Sequence, residues 1–458
     1  MSDITSHSAA QLAHLIRHRD VSVLEVIEAF IARIERINPL LNSIVTLAPD
    51  LLEQAQAADA LLSGSPLLGP LHGVPLTIKD TIDTAGLRTT SGSLLRAHHV
   101  PESDAPAVAR LKAAGAIILG KTNTAELAMD YNADNPVFGR TNNPYDSSRS
   151  PGGSSGGEAA AIAACMSAGG LGSDLAGSIR IPAHFCGIAG LKPGVGRVPG
   201  AGQFPPSAGP YSLGAAIGPL ARQIADLQLI FGVISDPMPV PASGSRVAWY
   251  ADDGVTPITL ETRRAVRAAA LALADAGFAV EECRPPGVEQ ALDMWLKIFS
   301  RASVVLLRDV YQAHEDQAGP FVSWRLRTAD DSPAPGIDDY IHAWLERDQL
   351  RSELLKWMEH NSLLVAPVGA TPAIEHDAHK VWVDGTAIGT FRAFSYCQAF
   401  NVFDLPALTL PVARSAEGLP IGVQIVGRPG AEERVMAAAL IVEEALGGWP
   451  PPPLSDKL

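Results

Sequence analysis

Serine supplies the most suggestive chemistry in this chain. Two glycine-rich loops carry it, Ser150-Pro-Gly-Gly-Ser-Ser-Gly-Gly157 and Gly172-Ser-Asp-Leu-Ala-Gly-Ser178. A serine hydroxyl attacks an acyl carbon only when a neighbouring base takes its proton and N–H donors hold the oxyanion that forms. The second loop offers such donors around one serine, the consecutive N–H groups of Leu175, Ala176, Gly177 and Ser178. The first loop, taken alone, fits an anion site at a helix N-terminus equally well. A base is available in Lys79, which ends the apolar run Gly73-Val-Pro-Leu-Thr-Ile78 and so enters a mostly dry interior. Burial lowers an ammonium pKa from its ordinary ~10.4, the condition under which lysine acts as a base. On sequence alone, a lysine that snorkels to the surface is an even alternative.

Other patterns compete with this one. Gly115-Ala-Ile-Ile-Leu-Gly-Lys121-Thr122 satisfies the G-x-x-x-x-G-K-[ST] pattern of a phosphate loop. Its middle is a β-prone apolar run, however, and Pro106 to Ala114 before it reads as a helix where a phosphate loop follows a strand. Asn123-Thr-Ala-Glu126 after it reads as a capping box that starts another helix. Gly153-Ser-Ser-Gly-Gly157 matches the G-x-S-x-G nucleophile elbow with Ser155 at its centre, and His184, His376 and His379 stand downstream as partners. That elbow follows a buried strand, whereas Arg140 to Pro151 is polar and turn-forming. His376-Asp-Ala-His379 is the one candidate ligand pair, better read as an exposed loop, as is His98-His99; no metal and no cofactor are expected.

From Ser150 through Lys192-Pro193 the sequence resembles the defining glycine- and serine-rich stretch of the amidase signature family. Gly73 to Asp80, Gly120 to Glu126, Phe138-Gly-Arg-Thr-Asn-Asn-Pro144 and Leu419-Pro-Ile-Gly-Val-Gln-Ile-Val-Gly427 resemble further family segments, so the similarity covers nearly the whole chain. The resemblance implies a Ser–Ser–Lys triad: Ser178 as nucleophile, Ser154 as a bridging serine on a cis peptide, Lys79 as base and then acid. It implies an oxyanion hole of the Leu175, Ala176, Gly177 and Ser178 amides, with Ser155, Asp174 and Arg180 in support. Many relatives carry glycine where this chain has Ala176, a change the backbone tolerates if φ is negative there.

The implied activity is hydrolysis of small amides. The aromatic residues of 290–403, which include Trp295, Phe299, Phe391 and Phe394, point to uncharged, bulky or aryl carboxamides, with carbamates and esters as side activities. One alternative is the family's glutamine-hydrolysing subunit of a tRNA-dependent amidotransferase, which works with a partner protein. Others are an α/β-hydrolase-like esterase built on Ser155 and a histidine, and a non-catalytic binding module. A homodimer is in keeping with the resemblance.

The elements that must position these residues follow from hydrophobic patterning. Ser8 to His18 and Ser22 to Ile37 place apolar residues at helical spacing, with Ser22 as N-cap and Pro39 beyond the end. Glu158 to Ala168 is alanine-rich and reads as a helix. Gly73 to Ile78, Ala116 to Leu119, Arg246 to Tyr250, Leu363 to Ala366, Ala407 to Leu410 and Gly422 to Val426 read as buried strands. The alternation predicts an α/β class fold: a single large domain over 1–458 with a central twisted mixed β-sheet covered by helices on both faces. Within it, 1–60 is a helical segment packed on the core, 70–195 the catalytic core and 290–403 the variable pocket region. The proline- and glycine-rich stretches Pro199 to Pro210 and Ser235 to Ser245 are read as surface crossings rather than linkers.

The totals agree with this. The 458 residues are 47% hydrophobic, enough for a large core. Thirty-five basic residues against 49 acidic give a net charge of −14, which repels nucleic acid and anionic membranes. No apolar run approaches a membrane span and Met1 to Ser8 lacks a targeting pattern, so a cytoplasmic protein is expected. Cys165, Cys186, Cys283 and Cys397 lack C-x-x-C spacing and are expected to be buried free thiols.

Overall fold

The computed structural model describes residues 3–62, 68–239, 244, 246–329, 331 and 336–454. Among these are the strands β1 (Ile44–Leu47), β2 (Pro75–Lys79), β3 (Ile117–Thr122), β4 (Gly169–Asp174), β5 (Ala189–Lys192), β6 (Ala216–Ala221), β7 (Arg246–Trp249), β8 (Ala279–Glu282) and β9 (Leu363–Pro367). They continue with β10 (Lys380–Val383), β11 (Thr386–Gly389), β12 (Ala407–Arg414) and β13 (Pro420–Gly427). Eleven of them form one mixed sheet in the order β1-β3-β2-β4-β6-β5-β12-β13-β9-β7-β8, while β10 and β11 make a separate hairpin. The β3-β2-β4 and β9-β7-β8 neighbours run parallel, whereas the pairings from β4 through β6, β5, β12 and β13 to β9 are antiparallel.

The expected buried runs all become strands, because a strand covered on both faces has no polar alternation to keep. Helices do cover both faces. Successive side chains of a strand point to opposite faces, and on β4 a methyl built on Gly169 would meet Ile230 while one on Gly170 would meet Glu158. Helix Ile224–Ile234 therefore lies on one face and helix Gly156–Ala163 on the other.

Several expectations need correction. The strands β1, β4, β5, β6, β8, β10 and β11 are additional to the expected runs, and β4 occupies a stretch whose glycines suggest a loop. Pro39 lies inside helix Val23–Leu41, which runs on to an αL cap at Asn42. The Glu158 to Ala168 helix ends at Ala163, and Cys165 turns the chain with φ 58° towards β4. Asn123 to Glu126 starts no α-helix: only a 3-10 turn, Glu126–Ala128, follows, and Ala125 is its uncapped start. The Glu126 carboxylate instead accepts from Tyr311 Oη at 2.6 Å and from the Gly319 N–H. Cys165, Cys186 and Cys397 are buried free thiols, but Cys283 is partly exposed.

Pro199 to Pro210 crosses the surface within the one sheet, with Gln203 bridging to Ile82. Of the Ser235 to Ser245 stretch, residues 240–243 and 245 lie outside the described residues. No described helix is long and apolar enough to cross a membrane.

Candidate active site

Lys79 closes β2, and the parallel pairing of β2 with β4 brings that end of the strand alongside Ser173. The Lys79 Nζ lies 2.6 Å from Ser154 Oγ and 3.1 Å from Ser173 Oγ. Lys79 and Ser154 are inaccessible to solvent, whereas Ser178 keeps 7% exposure, so of the three only Ser178 retains any contact with solvent. Burial pulls the Lys79 amine down to about 7, against the opposing pull of the Asp174 and Glu158 charges. A base of that pKa is substantially neutral near pH 7. The two serine loops are tied together by the Ser155 N–H, which donates to the Ser178 carbonyl at 3.2 Å. The Gly153–Ser154 peptide is cis.

The loop that carries Ser178 is held from behind. Asp174 accepts from the N–H groups of Gly177 at 2.9 Å and Ile179 at 3.1 Å, and takes a two-pronged ion pair from Arg180 at 3.0 Å through both Nε and Nη2. Arg180 continues to Gln424 Oε1 at 2.9 Å and Asn401 Oδ1 at 2.6 Å, and Asn401 Nδ2 returns to Asp174 Oδ1 at 2.9 Å. All four side chains are buried, and the Arg180 guanidinium holds the Asp174 carboxyl far below the ordinary range despite burial.

A trans peptide sets its C=O and N–H on opposite sides, so the carbonyl partners reveal where the amides point. The Leu175 carbonyl accepts from Trp295 Nε1 at 3.0 Å, the Ala176 carbonyl from Tyr131 Oη at 2.7 Å and the Gly177 carbonyl from the Ile181 N–H at 2.7 Å. The Ala176 and Ser178 N–H groups thus face away from these anchors, and neither has an acceptor among the described residues. The Gly177 N–H is engaged by Asp174, which removes one of the four expected oxyanion donors. Gly177 has φ +108°, a conformation open to glycine, while Ala176 is not among the residues of positive φ.

Around the loop stands an aromatic wall. Tyr131 and Phe391 stack with centroids 5.5 Å apart, and Phe391 meets Trp295 at 4.9 Å. Trp295 and Phe391 belong to the aromatic set read from the sequence. Tyr131 lies outside that set, and no motif marks Ser173, whose place beside Lys79 comes from the pairing of two strands distant in sequence. Phe299, Tyr396 and Phe400 are core, and Trp324 is 47% exposed and lines no part of this wall.

The competing motifs do not assemble. Ser155 Oγ is buried against the Ser173 backbone at 3.4 Å, and no strand leads into it. His184 accepts from the Gly422 N–H through Nδ1 at 2.7 Å and pairs through Nε2 with the Thr371 carbonyl; burial pulls it down to about 4. His376 pairs with the Ser147 carbonyl at 3.3 Å. Neither ring bonds Ser155. Lys121 belongs to a buried strand, its amine turned to the Ile82 carbonyl and to Thr84 Oγ1 at 2.9 Å rather than to a phosphate cradle.

Comparison with known proteins follows the same lines. The Amidase family model matches residues 25–436. Fatty-acid amide hydrolase 2 of Homo sapiens is 31% identical, over 96% of this chain and 89% of its own. One subunit of the glutamyl-tRNA(Gln) amidotransferase of Thermus thermophilus is 34% identical, over 95% of this chain and 97% of its own. The solved structure of a bacterial aryl acylamidase of the amidase signature enzymes is similar with a TM-score of 0.84 at 25% identity, covering 96% of each chain.

Proposed function

This chain belongs to the amidase signature family of amide C–N hydrolases, and on that premise we propose that it cleaves uncharged, bulky or aryl carboxamides through an acyl-enzyme on Ser178. The observation that carries the reading is the 2.6 Å approach of a buried lysine amine to Ser154 beside the loop that presents Ser178.

Ser178 Oγ attacks the amide carbon as its proton passes to Ser154 Oγ, and the Ser154 proton passes to neutral Lys79. The Ala176 and Ser178 amides hold the oxyanion, with Leu175 contributing a third N–H from the same turn. Lys79 then returns its proton through Ser154 to the leaving amine. Water enters, loses a proton along the same path, and releases the carboxylic acid. Asp174, Arg180 and Ser155 keep the loop in shape rather than touching substrate.

The substrate class rests on the wall of Tyr131, Phe391 and Trp295, which favours flat or bulky apolar groups beside the scissile bond. The 290–403 stretch supplies two of these three rings. Aryl carbamates and esters fit the same wall and the same chemistry. A small panel tests this: an aryl amide, an alkyl amide, an aryl carbamate and glutamine. Preference for the aryl amide supports the reading; preference for the alkyl amide sinks the aryl specificity. The similarity to an amidotransferase component supports a second reading, glutamine hydrolysis with ammonia passed to a partner. Glutamine turnover that appears only with a co-purifying protein would establish it instead.

A further inference from the structure

Helix Gly156–Ala163 buries a carboxylate that the proton relay above does not use. Glu158 is inaccessible to solvent; its Oε1 accepts from Thr77 Oγ1 at 2.5 Å and its Oε2 from Thr122 Oγ1 at 2.6 Å. Thr77 and Lys79 stand two apart on β2 and so project from the same face, about 7 Å apart along the strand. On the neighbouring β4, Gly170 leaves the room: a Cβ there would lie 2.0 Å from Glu158 Oε1. The carboxylate is thus clamped over β2, β3 and β4, one same-face position from the base.

We propose that Glu158 is a positioning residue for proton transfer, its buried negative charge setting the basicity of Lys79 and stabilising the ammonium formed when the relay proton arrives. The proposal rests on the reading of Lys79 as the base. Charges facing Lys79 come from two elements: Asp174 on β4, already paired to Arg180 and close to Lys192, and Glu158 on the helix. Lys121 on β3 faces Glu158 too, but it also faces Asp80, Asp83 and Asp104. Asp174 is therefore committed to its guanidinium, while Glu158 is in no ion pair among the described residues. Burial raises its carboxyl to about 7 against the two hydroxyl donors that favour the charged form, so its negative charge is present above about pH 7.

The test is the pH dependence of labelling by a fluorophosphonate, which needs an activated serine but no knowledge of the substrate. Wild type, Glu158→Gln, Thr122→Val and Lys79→Ala are compared, each with its melting temperature. A negative charge near an amine raises its pKa, so its removal lowers it. Glu158→Gln is expected to move the acid limb of the labelling rate down by about one pH unit and to reduce the plateau, since a weaker base transfers the proton more slowly. Thr122→Val, which withdraws one donor from the carboxylate, should shift the limb the same way by less, and it carries the test if Glu158→Gln fails to fold. An acid limb unmoved in the folded variants, with Lys79→Ala unreactive, overturns the proposal alone. Wild-type labelling by Lys79→Ala overturns the Lys79 reading beneath it.

Discussion

At the scale of single residues, the site depends on two buried charges being treated in opposite ways. Lys79 has no ion-pair partner among the described residues and loses its proton to desolvation, whereas Arg180 is kept charged by two-pronged bonds to Asp174. Breaking one side of a buried pair leaves the other charge uncompensated, which costs about 3–5 kcal/mol. Asp174→Asn should therefore lower unfolding stability by about that amount in urea titration and should also slacken the loop, because the Gly177 and Ile179 amides lose their charged acceptor. A variant with unchanged stability would mean that the Arg180 charge finds full compensation from Gln424 and Asn401. Lys79, Ser154 and Ser178 are legible in the sequence by type and motif. Their supports Asn401 and Gln424 are not, because they lie more than 200 positions from Arg180 and only the fold brings them to it.

At the scale of elements, legibility is best where burial leaves an apolar run and worst where close packing demands glycine. β2, β3, β9, β12 and β13 announce themselves in Val, Ile and Leu. β4, Gly-Gly-Leu-Gly-Ser-Asp, has little β propensity. It is a strand because its neighbours press so closely that methyls at Gly169, Gly170 and Gly172 would fall within 2.8 Å of side-chain or backbone atoms. Conversely, the supposed phosphate loop around Lys121 is a strand because its apolar stretch obeys the ordinary rule. Elements outside the serine loops matter as anchors. Trp295, on helix Ala291–Trp295, and Tyr131 both bond loop carbonyls with their polar tips while their rings form the wall. Trp295→Phe and Tyr131→Phe keep a ring but release a carbonyl each. The Trp295 bond to the Leu175 carbonyl orients the Ala176 amide, so Trp295→Phe should lower kcat by about tenfold or more with little change in KM, the pattern of an interaction that serves the transition state, whereas Tyr131→Phe, which sits behind the Gly177 amide already held by Asp174, should lower it less. A rise in KM with kcat intact would assign the two residues to substrate contact alone.

For the whole molecule, function and stability oppose one another through Lys79. The folded-state pKa of about 7 lies well below the ordinary value of 10.5, so between about pH 7 and 10.5 the unfolded chain binds the proton more readily than the folded one. The sign follows: the stability associated with a neutral buried Lys79 is complete above about pH 10.5 and is lost as pH falls towards 7. Lys79→Met removes this dependence. The stability advantage of that inactive variant over wild type should shrink as pH rises from 7 to 10, by up to about 1.4 kcal/mol per unit; a difference constant with pH would contradict the buried-amine assignment. The net charge of −14 disfavours polyanionic substrates.

Ser178 is identified as the nucleophile, or excluded, by reacting the protein with a fluorophosphonate and locating the adduct by tandem mass spectrometry of the digested chain. A single adduct on Ser178 is expected, lost in Ser178→Ala and strongly slowed in Lys79→Ala; an adduct on Ser155, or labelling that survives Ser178→Ala, would rule out Ser178 as the nucleophile.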